Sequence, residues 1–194
     1  MIKSNALQVA EALSRTMHKA GIPIRFKGRA ACQDIVQKLN GIPDLIREHF
    51  NNIDEPDHVN RNSIETALTL FDNGKAKSKM IIETGSSAWG TDSTTLFDTY
   101  ANYSCHNNID CQVKSCDIRI QPALKLQKKI TGKTTCYVDN SVFFLSRLAN
   151  HYQDTEGLDL LIYLDSFDVD FSDPYASALH CMQEYLAVKP LLRN

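Results

Sequence analysis

The chain has 194 residues, of which 43% are hydrophobic and 23% are charged, and its formal net charge is −2. This length can bury the core of one domain, and the nearly neutral charge excludes the broad basic surface that nucleic acid or an anionic membrane attracts. No apolar run reaches the length of a membrane span, and the N-terminus lacks the apolar core of a signal peptide. We therefore expect a cytoplasmic protein whose partners include neither nucleic acid nor a membrane.

Residues 1–75 are predicted to be helical. Apolar residues at helical spacing predict a first helix that ends before Gly21. Two further helices are expected over about 29–40 and 44–50. Ser63 is expected to cap a fourth helix, because an acidic residue and then an apolar run follow it.

The rest of the chain is predicted to alternate strands with helices. The four strands are expected at "KMIIET", "CQVKSCDI", "TTCYVDN" and "LDLLIYLDS". Helices are predicted near 93–103, 121–130 and 142–152, and Asp173-Pro174 is typical of the start of a last helix. That helix has an apolar face made of Ala178, Leu179, Met182, Tyr185 and Leu186. Strands that alternate with helices indicate right-handed crossovers and a mostly parallel sheet, so the expected fold class is α/β.

Each predicted strand ends in polar residues that packing alone does not require. In chain order these are Glu83 and Gly85, then Asp117, then Asp139, Asn140 and Ser141, and finally Asp165. Parallel sheets bind their ligands beyond the carboxyl ends of the strands, at the point where the strand order reverses. Several carboxylates at one edge repel one another unless a ligand, a cation or hydrogen bonds compensate. The pattern therefore predicts a binding site at this edge.

The loop between Gly85 and Gly90 narrows the class of ligand. It matches neither the phosphate-binding loop nor the glycine fingerprint of dinucleotide-binding proteins. The acidic Asp92 at the start of the next predicted helix also disfavours a pyrophosphate there, because both would compete for the same helix end. A ligand with hydroxyls and a cationic group fits better.

This ordered set of polar strand ends resembles a class I S-adenosylmethionine-dependent methyltransferase. The likeness is greatest to the branch of small-molecule and sugar O-methyltransferases and cephalosporin-hydroxylase-like proteins, and it covers about residues 76–192. It implies a Rossmann-like S-adenosylmethionine-binding domain over 76–194. Residues 1–75 would then be an N-terminal helical cap that selects the acceptor, a small molecule or a sugar.

The resemblance also implies a role for each residue that contacts the cofactor. Glu83 and Gly85 would lie against the methionine part of the cofactor, where Ser86 and Ser87 would offer hydroxyls or amides. Asp117 would accept hydrogen bonds from the two ribose hydroxyls.

At the two remaining strands, Asp139 and Asn140 would bind the adenine edge, while Ser141 would cap the following helix. Asp165 would lie beside the transferable methyl group, where it would orient a substrate hydroxyl, accept its proton or hold a metal ion. Asp165 and Asp168 are the candidate ligands of a Mg²⁺ ion.

One departure from the family leaves alternatives open. The family's sheet has seven strands, whereas this sequence ends just after the helix that follows the fourth, so we expect a sheet truncated there. The chain would be either a fragment or a short form whose exposed edge strand pairs with a partner chain, as in a homo-oligomer. The alternative functions are a non-catalytic nucleoside-binding module and a hydroxylase-like enzyme on the same fold.

Overall fold

The structure is a computed structural model that describes residues 2–30, 39–53, 58–86, 90–166 and 172–193. Its helices and strands are α1 (Ile2–Lys19), β1 (Ile24–Lys27), α2 (Ile42–Asn51), α3 (Arg61–Asp72), β2 (Ser78–Thr84), α4 (Ser93–His106), β3 (Asp110–Asp117), α5 (Ile120–Leu126), β4 (Thr134–Val138), α6 (Ser141–Tyr152), β5 (Leu158–Leu164) and α7 (Pro174–Val188), followed by a 3-10 helix (Lys189–Arg193). Most of the helix predicted over 29–40 lies outside the described residues. Within the described residues, no helix has both the length and the apolar character needed to cross a bilayer.

The five strands of the described residues form one sheet in the order β1-β4-β3-β2-β5. Strands β2 to β5 run parallel to one another. The chain moves outward from β2 to β3 and β4, and then returns across the sheet to place β5 on the other side of β2. This α/β, Rossmann-like arrangement was predicted from the sequence and is confirmed. Its strand order reverses next to β2, which is the position where such sheets bind ligands.

Strand β1 corrects the prediction that residues 1–75 are helical. It pairs antiparallel with β4, and Ile24 lies opposite Val138. The segment is only four residues long and alternates apolar with basic residues, a period-2 pattern too short to stand out from its helical surroundings. The Arg25 guanidinium lies 5.5 Å from the centre of the Tyr137 ring, which helps to hold β1 at the edge of the sheet.

Helices cover both faces of the sheet. On one face, α2, α3 and α4 bury a large apolar cluster against β2 and β3, and a smaller cluster joins α5 to β4. On the other face, α6, α7 and the 3-10 helix pack against β2, β3, β4 and β5. Successive residues of β2 alternate between these faces, so Ile81 lies in the first cluster and Met80 and Ile82 lie in the second.

The predicted helices of the parallel part are present, with differences at their ends. Asp173 caps α7 as predicted, because its carboxylate accepts a hydrogen bond from the Ala176 amide. The prediction that Ser63 caps α3 is wrong, since α3 begins at Arg61 after Asn60. The apolar face expected on α7 exists, but it points to solvent, with Tyr175, Leu179, Met182, Tyr185 and Leu186 all exposed.

Candidate functional site

The carboxyl ends of β2, β3 and β4 form one continuous edge. The amides of Gly85 and Ser86, just after β2, both donate to the carbonyl of Cys116 in β3, at 2.7 and 3.2 Å. The Asp139 amide, just after β4, donates to the carbonyl of Asp117 at 3.0 Å. The backbone thus places four of the predicted site residues next to one another.

Strand β5 extends this edge on the other side of β2. The Asp165 amide donates to the Thr84 carbonyl at 3.1 Å. The Asp165 side chain is exposed, and its Oδ2 accepts a hydrogen bond from the Tyr163 hydroxyl at 3.1 Å. Asp165, which the resemblance would place beside the transferable methyl group, is therefore open to solvent.

Glu83 does not lie at the edge, although the sequence suggested that it would. It is one residue short of the end of β2, on the same side as Ile81, and it is 0% exposed. Ser93 and Thr94 from the start of α4 each donate a hydroxyl hydrogen bond of 2.6 Å to its carboxylate, and Ser115 of β3 donates a third at 2.5 Å. This network fastens the N-terminus of α4 to the sheet beneath the edge.

Burial raises the pKa of Glu83 from 4.5 to about 7, even though the three hydroxyls act in the opposite direction. Between pH 4.5 and 7 the unfolded chain ionises this group while the folded chain keeps it protonated, so stability is lost as the pH rises. The pKa shift corresponds to about 3 kcal/mol. We expect the unfolding free energy of the wild type, relative to Glu83→Gln, to fall by about this amount between pH 4 and 8. Urea denaturation at each pH measures it, and parallel curves for the two proteins would contradict the assignment.

Gly85 and Ser86 follow β2 directly and are held closely by the neighbouring strands. Ser86 is buried, and its hydroxyl lies 2.7 Å from that of Ser115. Gly85 has a φ of +79°, and a Cβ there would lie 2.5 Å from the carbonyl carbon of Asp165. The glycine allows β2 and β5 to approach each other closely at their ends.

Asp117 is the acid best placed to receive a ligand. It is 8% exposed at the end of β3. Its Oδ1 accepts hydrogen bonds from the amide of Arg119 at 2.7 Å and from the Arg119 side chain at 3.3 Å. Its Oδ2 has no hydrogen bond to the described part of the chain, so one oxygen is held in place while the other stays available.

Asp139 and Asn140 have structural partners at the end of β4. The Asp139 carboxylate forms an ion pair with Arg147 of α6, and its Oδ1 accepts a hydrogen bond from the Asn140 amide at 2.8 Å. The Asn140 side chain caps α6 by accepting a hydrogen bond from the Phe143 amide. The cap is therefore Asn140, and the assignment of this role to Ser141 is wrong.

Two predicted site residues, Ser87 and Asp168, lie outside the described residues. Among those that are described, no group of three or more His, Cys, Asp or Glu side chains has the arrangement of a metal site. The Mg²⁺ assignment to Asp165 and Asp168 therefore stays a prediction.

The sequence did not single out a polar cluster between α7 and the ends of β4 and β5. Nε2 of His180 lies 2.9 Å from the Ser166 hydroxyl, 3.1 Å from that of Ser141 and 3.5 Å from Oε1 of the buried Glu184. The available signal was the i, i+4 spacing of His180 and Glu184. A catalytic relay uses opposite ring nitrogens for its serine and its carboxylate, whereas here one nitrogen faces both, so the cluster ties α7 to the sheet.

A groove of about 360 Å³ opens beside Asp165, between α3, α4 and β5. Tyr163 and Asn60 line it, and Nδ2 of the Asn60 side chain donates to the Tyr163 hydroxyl at 3.3 Å. Helix α2 also reaches this end of the molecule, since Nε2 of His49 donates to the Thr91 carbonyl at 2.7 Å. The N-terminal helices therefore supply part of the surface next to the edge.

Comparison with protein-family models, with curated proteins and with solved structures found no match to this chain. The fold and the row of strand ends thus define its class on their own, as an α/β protein with a Rossmann-like sheet.

Proposed function

We propose that the chain binds S-adenosylmethionine along the carboxyl edge of its parallel sheet and transfers the methyl group to a hydroxyl of a small molecule or sugar. The observation that carries the proposal is the adjacency of Asp117 and Asp139 on neighbouring strands, beside the point where the strand order reverses. This is where a Rossmann-like sheet would hold the ribose and the base of a nucleoside.

The residues of the edge fit the nucleoside part of this cofactor better than its methionine part. The available Oδ2 of Asp117 can accept a ribose hydroxyl while Arg119 holds Oδ1 in place. Glu83 is sealed by three hydroxyls and offers no partner to the amino group of the methionine. We therefore assign the methionine end to the backbone of Gly85 and Ser86.

The groove beside Asp165 is the proposed acceptor site. The cofactor would supply an activated methyl group, and the protein would contribute mainly position and alignment. Asp165 is solvent-exposed and is oriented by the Tyr163 hydroxyl, so it can accept a hydrogen bond or a proton from an acceptor hydroxyl.

Calorimetric titration with S-adenosylmethionine and with its demethylated product, with and without magnesium, tests the proposal. We expect the wild type to bind in the micromolar range. Asp117→Asn keeps Oδ1 as the acceptor for the Arg119 amide but replaces Oδ2 with an NH₂ donor. Cofactor binding should therefore weaken about 10- to 100-fold, which is the usual effect of losing a hydrogen bond to a charged group. Asp110→Asn is the matched control, because it makes the same change at the exposed opposite end of β3 and should leave binding unchanged.

Several outcomes separate the candidate functions. Wild-type binding weaker than about millimolar, or equal effects of the two substitutions, would contradict the proposed site. Product mass analysis with small-molecule and sugar acceptors then tests transfer, and Asp165→Asn should lower turnover more than it lowers cofactor affinity. Binding without transfer to any acceptor would instead support a nucleoside-binding module.

A further inference from the structure

We propose that the open edge of β5 and the apolar outer face of α7 together form an interface between two copies of this chain. Strand β5 is the last strand of the sheet, and its only neighbour in the described structure is β2. Its sequence, LDLLIYL, has a single charged residue, Asp159, whose Oδ2 accepts a hydrogen bond from the Ala76 amide of the same chain. Exposed edges normally carry lysine, proline or a bulge, and this one has none of them.

The register shows which backbone groups of β5 are open. The Asp165 amide bonds to β2, and backbone groups alternate in direction along a strand. The odd-numbered residues of β5 therefore bond to β2, and the even-numbered ones point away from it. These outward residues are Leu158, Leu160, Ile162 and Leu164.

A second copy of the chain would form hydrogen bonds with all of these outward backbone groups in one arrangement. With a twofold axis at Leu161, an antiparallel pair places Leu160 opposite Ile162 of the second copy and Leu158 opposite its Leu164. Each such pair exchanges two backbone hydrogen bonds, and the symmetry repeats both pairs. Asp159 then faces Tyr163 of the other copy, so no like charges lie opposite each other.

Helix α7 gives an independent reason to expect a partner on this side. Its outward residues Leu179, Met182, Tyr185 and Leu186 are 44%, 55%, 46% and 55% exposed, whereas Glu184 on its inner side is buried. A surface helix normally has the opposite arrangement, and an exposed apolar stripe marks an interaction surface.

The two surfaces adjoin each other. The side chains of Leu160 and Ile162 pack in the same cluster as Val188 at the end of α7. A twofold axis perpendicular to the sheet keeps that face on the same side in both copies. The two α7 helices would therefore lie on the same face of one continuous sheet, on either side of the junction.

Proline and lysine substitutions test the interface, with sedimentation velocity at about 100 μM protein as the measurement. We expect the wild type to sediment as a dimer, with twice the mass of the 21.8 kDa chain. Ile162→Pro removes an outward N–H that β2 does not use, so the fold should persist while the dimer is lost. Met182→Lys with Leu186→Lys should also give a folded monomer. Val9→Lys changes an equally exposed apolar residue on α1, which packs on α5, and should leave the dimer intact.

Amide hydrogen exchange gives a second readout at single residues. Pairing protects the amides of Leu160, Ile162 and Leu164 in the wild type, and Met182→Lys with Leu186→Lys removes that protection. A wild-type monomer, or a dimer in which these amides exchange freely, would overturn the proposal. It does not depend on methyl transfer, because mass and exchange are measured without any ligand.

Discussion

Gly85→Ala is expected to lower the free energy of unfolding by about 3 kcal/mol or more. At φ +79° any side chain is strained, which costs about 1 kcal/mol. The new Cβ would also lie 2.5 Å from the carbonyl carbon of Asp165 and closer still to its oxygen. These are backbone atoms at the end of β5 and cannot swing aside, so overpacking adds about 1–3 kcal/mol. Urea or thermal denaturation measures the loss.

Gly90→Ala is the matched control for this substitution. Gly90 belongs to the same loop and has a similar φ of +66°, but no atom of the described residues lies within 4 Å of where its Cβ would be. It should therefore show only the conformational cost of about 1 kcal/mol. The difference between the two variants isolates the contact between the ends of β2 and β5. Equal losses would mean that the two strand ends are not in close contact.

Lys79→Met is expected to lower the free energy of unfolding by about 3 kcal/mol. Lys79 is fully buried in β2, and its ammonium group donates to the carbonyls of Phe71 and Asp72 at 2.6 and 2.9 Å. These are the last two carbonyls of α3, which have no partner within the helix and carry its negative dipole end. Methionine fills a similar volume but removes the ammonium donor from both carbonyls. The Phe71 carbonyl keeps the backbone amides that follow α3, whereas the Asp72 carbonyl is left without a donor among the described residues.

Lys77→Met is the control, because it makes the same change at an exposed lysine just before β2. We expect it to alter stability by no more than about 0.5 kcal/mol. Denaturant titration of both variants gives the comparison. If Lys79→Met were as mild as its control, the ammonium group would not be required at the end of α3.

Strands β2 and β5 were predictable because their apolar residues are concentrated in short runs. The runs MII in β2 and LLIYL in β5 do not alternate apolar with polar residues, which is typical of strands covered by helices on both faces of a parallel sheet. Strand β1 was not predictable in this way. Its four residues join the sheet only because β4 offers them an open edge, and that edge forms in tertiary structure.

The sequence predicted where the polar residues of the edge lie, but it did not predict which side chains they contact. The order of Asp117, Asp139 and Asp165 after successive strands implied a common edge, and the structure places all three there. Sequence spacing could not reveal that Glu83 lies beneath that edge, because the three hydroxyls that surround it come from α4 and β3.

By itself, the sequence determined strands β2 to β5 with the helices between them, the parallel direction of those strands and the edge at which their polar residues gather. Those features follow from periodicity and from the geometry of strands joined by helices. Only the tertiary structure decided which acid is sealed, which lysine caps a helix and which apolar face stays exposed. Each of these depends on contacts between residues distant along the chain, and the burial of a side chain is set by what packs against it.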